Sequence, residues 1–131
     1  MSIQRFILAA CLFAIFTCAC DRTEKYNKAR YDYIKTMTGG DPAKGQVAIF
    51  KNGCGSCHTI PGVKGADALV GPNLSQIGSR MYIAGVLKNT PENMIEWIKN
   101  PPGVDPKTAM PNMHLAESDV RDIASYLYTL R

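Results

Sequence analysis

Residues Cys54-Gly55-Ser56-Cys57-His58 place two thiols three positions apart and an imidazole directly after the second. Thiols at that spacing share one turn of chain, where each can add to a vinyl group of the same porphyrin. The adjoining imidazole then reaches the iron as its proximal ligand. The pentapeptide therefore predicts one covalently attached haem c, bound through Cys54 and Cys57 and ligated by His58. Two other chemistries use similar residues. A thiol redox pair also reads Cys-x-x-Cys, but it needs a strand before and a helix after in a βαβ unit. Here helix signals come first and a Gly/Pro-rich stretch follows. Zinc would need a fourth ligand beyond Cys54, Cys57 and His58, and the only other histidine is His114.

The elements that must hold these groups are announced by local signals. Asp41 suits an N-cap, Pro42 the first helical position, and Asn52-Gly53 a left-handed stop, which predicts a helix from Pro42 to Lys51. Thr90-Pro91 repeats that start, and its helix must end before Pro101-Pro102. Val120, Ile123, Ala124, Leu127 and Leu130 recur at the three-and-four spacing of a core-facing helical stripe. Glu117, Ser118 and Asp119 favour that last helix's N-terminus through the helix dipole, although Ala116 is a poor cap. Between Thr59 and Asn89 no period is sustained, so this stretch reads as loop.

From Gly40 to Arg131 the order of motifs resembles the class I c-type cytochromes: Gly-Asp-Pro-Ala-Lys-Gly, Cys-Gly-Ser-Cys-His-Thr, Gly-Pro-Asn-Leu, Gly-Ser-Arg, Thr-Ala-Met-Pro and a closing Ala-Ser-Tyr-Leu helix. The run from Leu87 to Pro101 is similar to the cytochrome domain fused to subunit II of bacterial haem–copper oxidases. The resemblance implies an all-α fold, with three to five short helices wrapped around one haem. It implies that the first and last helices cross closely, with Gly45 admitting Tyr126 and Leu127, and with either Ile49 or Phe50 at the crossing. The Pro72 carbonyl would accept the proton on the second nitrogen of His58. Arg80 would hold a buried haem propionate, and Tyr82 and Trp97 would contact the haem edge.

The sixth ligand decides the chemistry. Met110 matches the family's axial methionine and follows His58 by 52 residues, with Met113 and His114 as rivals on the same loop. Thioether ligation raises the potential and closes the iron to oxygen and peroxide, so electron transfer follows. An exchangeable ligand would instead mean a peroxidase-like enzyme, and fixed association with an oxidase would mean an accessory subunit.

The remaining features concern location. A chain of 131 residues holds one compact core. Its five cysteines exclude a disulfide framework, because Cys11, Cys18 and Cys20 fall within the first twenty residues. Residues 1–20 have the layout of a secretory signal: Arg5, an apolar run from Phe6, then Thr17-Cys18-Ala19-Cys20. That ending resembles a bacterial lipobox, with Cys20 as the acylated residue and Asp21 as the sign of retention in the inner membrane. The expected location is thus the periplasmic face, anchored by lipid.

Residues 21–40 read as a charged, tyrosine-rich tether with a helical turn or two around Tyr26 to Met37, and residues 41–131 as the cytochrome domain. As a coil, roughly 20 residues place the body about 25 Å from its anchor. The body holds 9 basic against 8 acidic residues. Nucleic acid is excluded as a partner by that balance. A quinol-oxidising complex and a terminal oxidase are the expected redox partners, with Lys51, Lys64, Lys88, Lys99 and Lys107 available to frame a docking edge.

Overall fold

The computed structural model describes residues 23–131, so the expected leader and Cys20 lie outside the described residues. The chain divides into two compact units, Met1–Asp32 and Tyr33–Arg131. In the first, residues 23–32 are helical, and Lys28 and Asp32 pair one turn apart at 3.2 Å. No helix among the described residues is long and apolar enough to cross a membrane.

The second unit opens on helix α1, residues 33–38. Ile34 and Thr38 lie one turn apart and are fully buried. The Thr38 hydroxyl donates to the Ile34 carbonyl at 2.8 Å and pairs with the Ser125 hydroxyl. Arg121 Nη1 donates to the Thr38 carbonyl at 3.2 Å, and Lys35 meets Asp41 at 2.6 Å. Residues 33–38, read from the sequence as the end of a tether, are therefore part of the folded body. Their apolar stripe is only Ile34 and Met37, too short to show as a period.

Helix α2, Pro42–Lys51, starts where its cap predicts, with the Asp41 carboxylate accepting from the Ala43 and Lys44 amides. Lys35 and these two amides hold that carboxyl below its ordinary pKa. Helix α3, Pro91–Lys99, is capped by Thr90, whose hydroxyl accepts from the Asn93 amide at 3.3 Å. After it a short helix α4, Pro101–Val104, uses the proline that ends α3 as its own first residue. Helix α5, Glu117–Thr129, has no side-chain cap, as Ala116 requires, and carries Glu117 and Asp119 in its first turn.

Helices α2 and α5 cross at Gly45. A Cβ there would stand 1.9 Å from the Asp122 carbonyl oxygen and 2.9 Å from Tyr126 Cβ. The nearest approach is thus to Asp122 and Tyr126; Leu127 is buried, and its backbone carbonyl faces the 77–79 turn. There Gly78 lies against the Leu127 and Tyr128 backbone. Ile49 takes the crossing position, 1% exposed, and Phe50 points outward at 63%. The core gathers Ile34, Ala48, Ile49, Met94, Trp97, Val120, Ile123 and Leu127 from these helices, with Ile60, Val63, Ala66, Ile77 and Ile83 from the loop between them.

The long loop is built rather than open. It contains 3-10 turns at Cys54–Ser56 and Ile77–Ser79, and a hairpin of β1, Tyr82–Ile83, with β2, Leu87–Lys88. The hairpin turns through Ala84 and Gly85, both at positive φ. Asn89, just after it, ties the 77–80 turn to α5. Its amide nitrogen donates to the Ile77 and Arg80 carbonyls, each at 2.8 Å, and its oxygen accepts from the Tyr128 hydroxyl at 2.6 Å.

Tyr128 gives this knot a pH dependence. Burial first, then the nearby Glu92 charge, pushes its phenol up to about 12. An unfolded phenol titrates near 10. The stability it contributes is therefore fully present below pH of about 10 and is lost as pH rises toward about 12. Tyr128→Phe is expected to cost about 1 kcal/mol at neutral pH, by leaving the Asn89 oxygen unpaired. It is also expected to flatten the loss of stability between those pH values. Urea unfolding of both proteins at neutral pH and in that alkaline window checks this; parallel pH profiles would refute it.

Candidate haem site

The attachment turn is made by the end of α2. Asn52 closes the helix with its side-chain amide on the Ala48 carbonyl at 2.9 Å, and Gly53 turns at φ +70°. The Cys54–Ser56 turn follows, and the Cys54 carbonyl accepts from the amides of Cys57 and His58 at 3.3 and 3.0 Å. One turn of backbone thus carries both thiols and the imidazole. Both cysteines are free and half-buried. Burial pushes the Cys54 thiol above its ordinary pKa. A redox nucleophile needs the opposite shift, and a helix stands where a thioredoxin-like unit requires a strand. No three His, Cys, Asp or Glu side chains among the described residues gather to hold a metal ion.

His58 is fixed from two sides. Its Nδ1 lies 2.8 Å from the Pro72 carbonyl, which can only accept, so the proton sits on Nδ1 and the Nε2 lone pair is left for a metal. Gly71 presses against the ring. A Cβ on it would stand 2.5 Å from His58 Cε1 and 2.7 Å from Nδ1, while its own amide donates to the Cys57 carbonyl at 2.7 Å. The chain from Gly71 to Pro72 thereby forms a wall along the imidazole. The sequence singled out Pro72; Gly71, its neighbour in Gly-Pro-Asn-Leu, carries the steric half of the same job.

The other expected residues lie on separate segments of the second unit. Arg80 is exposed, and its Nη2 donates to the Asn73 and Ser75 carbonyls at 2.5 and 3.1 Å. These contacts fold the guanidinium over the segment that follows Pro72, leaving the Nη1 and Nε donors for a further acceptor. Trp97 is buried at 8% exposure within the core. Tyr82 sits on β1 opposite Lys88 and is half exposed. Met110 is half-buried against the core cluster that also receives Cys54. Its rivals differ from it: Met113 is exposed, and His114 is exposed with its backbone at φ +52°. Of the expected docking lysines, Lys99 is occupied by Glu117 at 2.9 Å, and that pairing holds the Glu117 carboxyl below its ordinary pKa.

These residues fit a covalently held haem. The donor set is two free thiols, an imidazole with one nitrogen left open, and a half-buried thioether on a separate loop, all on a helical scaffold with a small core. Residues 42–131 match the family model described as Cytochrome c. The chain belongs to the cytochrome c family, and covalently bound haem c with its iron is what membership implies.

The similar curated proteins include the cytochrome c oxidase subunit 2 of Bacillus sp. (strain PS3), 30% identical over 115 residues, or 85% of this chain and 32% of that one. The subunit 2 of Bacillus subtilis (strain 168) is 31% identical over 123 residues, 91% of this chain and 35% of the relative. That of Alkalihalophilus pseudofirmus is 32% identical over 89 residues, 67% and 25%. The chain therefore spans about a third or less of the length of the curated relatives it matches. The comparison with solved structures gave no match.

Proposed function

We propose that this chain is a monohaem cytochrome c that carries single electrons, held at the periplasmic face of the inner membrane and working with respiratory complexes that include a terminal oxidase. The observation that carries the reading is the imidazole of His58, clamped between Pro72 and Gly71 on the turn that presents both thiols. Haem, when bound, supplies a one-electron couple. The chain's own residues do the rest. Cys54 and Cys57 hold the ring by thioether bonds. His58 Nε2 and the Met110 sulfur would ligate its iron, and Arg80 would pair with a propionate. Trp97 and the core around it keep water from one side. With His58 and Met110 both given to the iron no ligand position would be left for a substrate, and so the reading is a carrier rather than an enzyme.

Visible spectra test this on protein exported in a host that attaches haem. Sharp c-type bands on reduction, a weak methionine–iron charge-transfer band on oxidation, and no response to carbon monoxide are expected. Met110→Ala should lose the charge-transfer band, bind carbon monoxide stoichiometrically and fall in potential, because thioether ligation favours the reduced iron. A wild-type protein that binds the gas would sink the carrier reading in favour of ligand-binding or peroxidase chemistry.

The location rests on the sequence of the leader, with Cys20 as the acylated residue. Mass spectrometry of the mature N-terminus should find a lipid there; a free amine at Asp21 or beyond would overturn the anchor. The similarity to oxidase subunits supports one further reading, an accessory haem subunit. Stoichiometric copurification with an oxidase would favour it over a carrier that exchanges between complexes.

A further inference from the structure

The loop that presents Met110 runs over residues 105–116, between α4 and α5, and its two limbs are secured very differently. The incoming limb is stitched by backbone. The Asp105 amide donates to the Pro101 carbonyl at 2.9 Å and the Thr108 amide to the Asp105 carbonyl at 3.0 Å, while the Asp105 carboxylate accepts from the Lys107 amide at 3.0 Å. Met110 itself closes that limb, its amide on the Thr108 hydroxyl at 3.2 Å. The outgoing limb has no such ladder. Pro111 has no N–H to give, and, among the described residues, 110–115 donate no backbone–backbone hydrogen bond.

What ties the outgoing limb is the side chain of Asn112. Its amide nitrogen donates to Asn100 Oδ1 at 3.2 Å, spanning 12 positions, and its oxygen accepts from the His114 amide at 2.8 Å. Asn100 is exposed, but its backbone is anchored. It caps the end of α3, its amide donates to the Glu96 carbonyl at 3.0 Å, and its side chain lies over Gly103, where a Cβ would come within 2.1 Å of it. The second contact holds His114 in its left-handed backbone, φ +52°, a conformation that needs support in any residue but glycine. The Lys99–Glu117 pair closes the loop's outer base at 2.9 Å, but both side chains are about half exposed. An exposed ion pair holds little.

We propose that Asn112 is the positioning residue for Met110: it ties the outgoing limb of the loop to Asn100 at the end of α3, and so keeps the thioether on the iron against competing ligands. This rests on the reading of Met110 as the axial ligand. Leu115 packs the far end of this limb against the core, so the stretch from Pro111 to His114 opens by losing one or two modest hydrogen bonds, and the opened, ligand-accepting state should rise in proportion when they are removed.

The test is imidazole titration of the oxidised holoprotein, followed by the methionine–iron charge-transfer band. Asn112→Ala is expected to raise imidazole affinity roughly three- to tenfold. Asn112→Asp should stay within about twofold of the wild type, because its carboxylate still accepts from His114 and the Asn100 amide, turned over, can donate to it. Thr38→Val serves as a comparator that loosens the fold away from this loop, by removing the hydroxyl paired with Ser125; it should leave imidazole affinity unchanged. Unchanged affinity in Asn112→Ala, in a protein whose wild type shows the band, would overturn the proposal. So would an equal rise in Thr38→Val, which would mean general loosening. Absence of the band from the wild type, with Met110→Ala binding imidazole no differently, would defeat the ligand assignment first and this proposal with it.

Discussion

Gly45→Ala is expected to cost about 3 kcal/mol or more of folding stability, and Gly45→Val to prevent folding. The alanine methyl would stand 1.9 Å from the Asp122 carbonyl oxygen and 2.6 Å from its carbon. Both are backbone atoms of α5, so no side chain can swing aside, and the two helices must separate. Separation strips contacts from Ala48, Ile49, Ile123 and Ala124, all buried at the crossing, and disturbs the Asp41 amide's bond to Asp122 Oδ1 at 2.6 Å. Overpacking against flexible groups costs about 1–3 kcal/mol; rigid backbone puts this site at the top of that range or beyond. Better helix propensity returns only about 1 kcal/mol.

Gly53→Ala makes the contrast. That glycine turns at φ +70° with nothing within 4 Å of its missing Cβ, so the loss is confined to left-handed strain of about 1–2 kcal/mol. Denaturant unfolding of the two variants separates them. Equal losses would mean that the crossing yields more readily than the distances allow.

The same pair of glycines shows what could be read from the sequence. Caps, prolines and the α5 stripe act within a few residues of where they stand, so Pro42–Lys51, Pro91–Lys99 and Glu117–Thr129 follow from short windows of sequence. The attachment turn is equally local. What escaped was nonlocal. Asn89 joins Ile77, Arg80 and Tyr128, the last 39 positions away, and no short pattern marks such a residue. Residues 33–38 look like tether because two apolar side chains make no period, yet burial against α5 fixes them. Ile49 and Phe50 are adjacent and both apolar, and only the rotation of α2 about its axis decides that Ile49 faces inward. Asn112 reads as an ordinary loop residue until Asn100 is seen beside it.

Gly71→Ala should damage the site more than any change in its neighbours that spares the backbone. Gly71 does not have a left-handed φ, so alanine is tolerated by the backbone and the whole effect is steric. The new methyl would sit 2.5 Å from His58 Cε1, 2.7 Å from Nδ1 and 3.1 Å from Nε2, against an imidazole whose backbone is fixed in the attachment turn by the amide bond to the Cys54 carbonyl. The ring must tilt or the Gly71-Pro72 segment must retreat. Either movement breaks the 2.8 Å bond from Nδ1 to the Pro72 carbonyl, which sets the tautomer and the direction of the Nε2 lone pair. Loss of such an outer partner typically weakens metal binding by about 10–100-fold.

In a covalently attached cofactor that weakening is expected as mixed spin states in the oxidised protein and a fall in the proportion of chain that carries haem. A stability loss of about 1–3 kcal/mol should accompany them. Pro72→Ala keeps the carbonyl oxygen and removes only ring atoms, so its spectrum should remain that of the wild type. If Pro72→Ala proved the more damaging of the two, the carbonyl geometry would depend on proline's rigidity, and the steric wall assigned to Gly71 would be wrong.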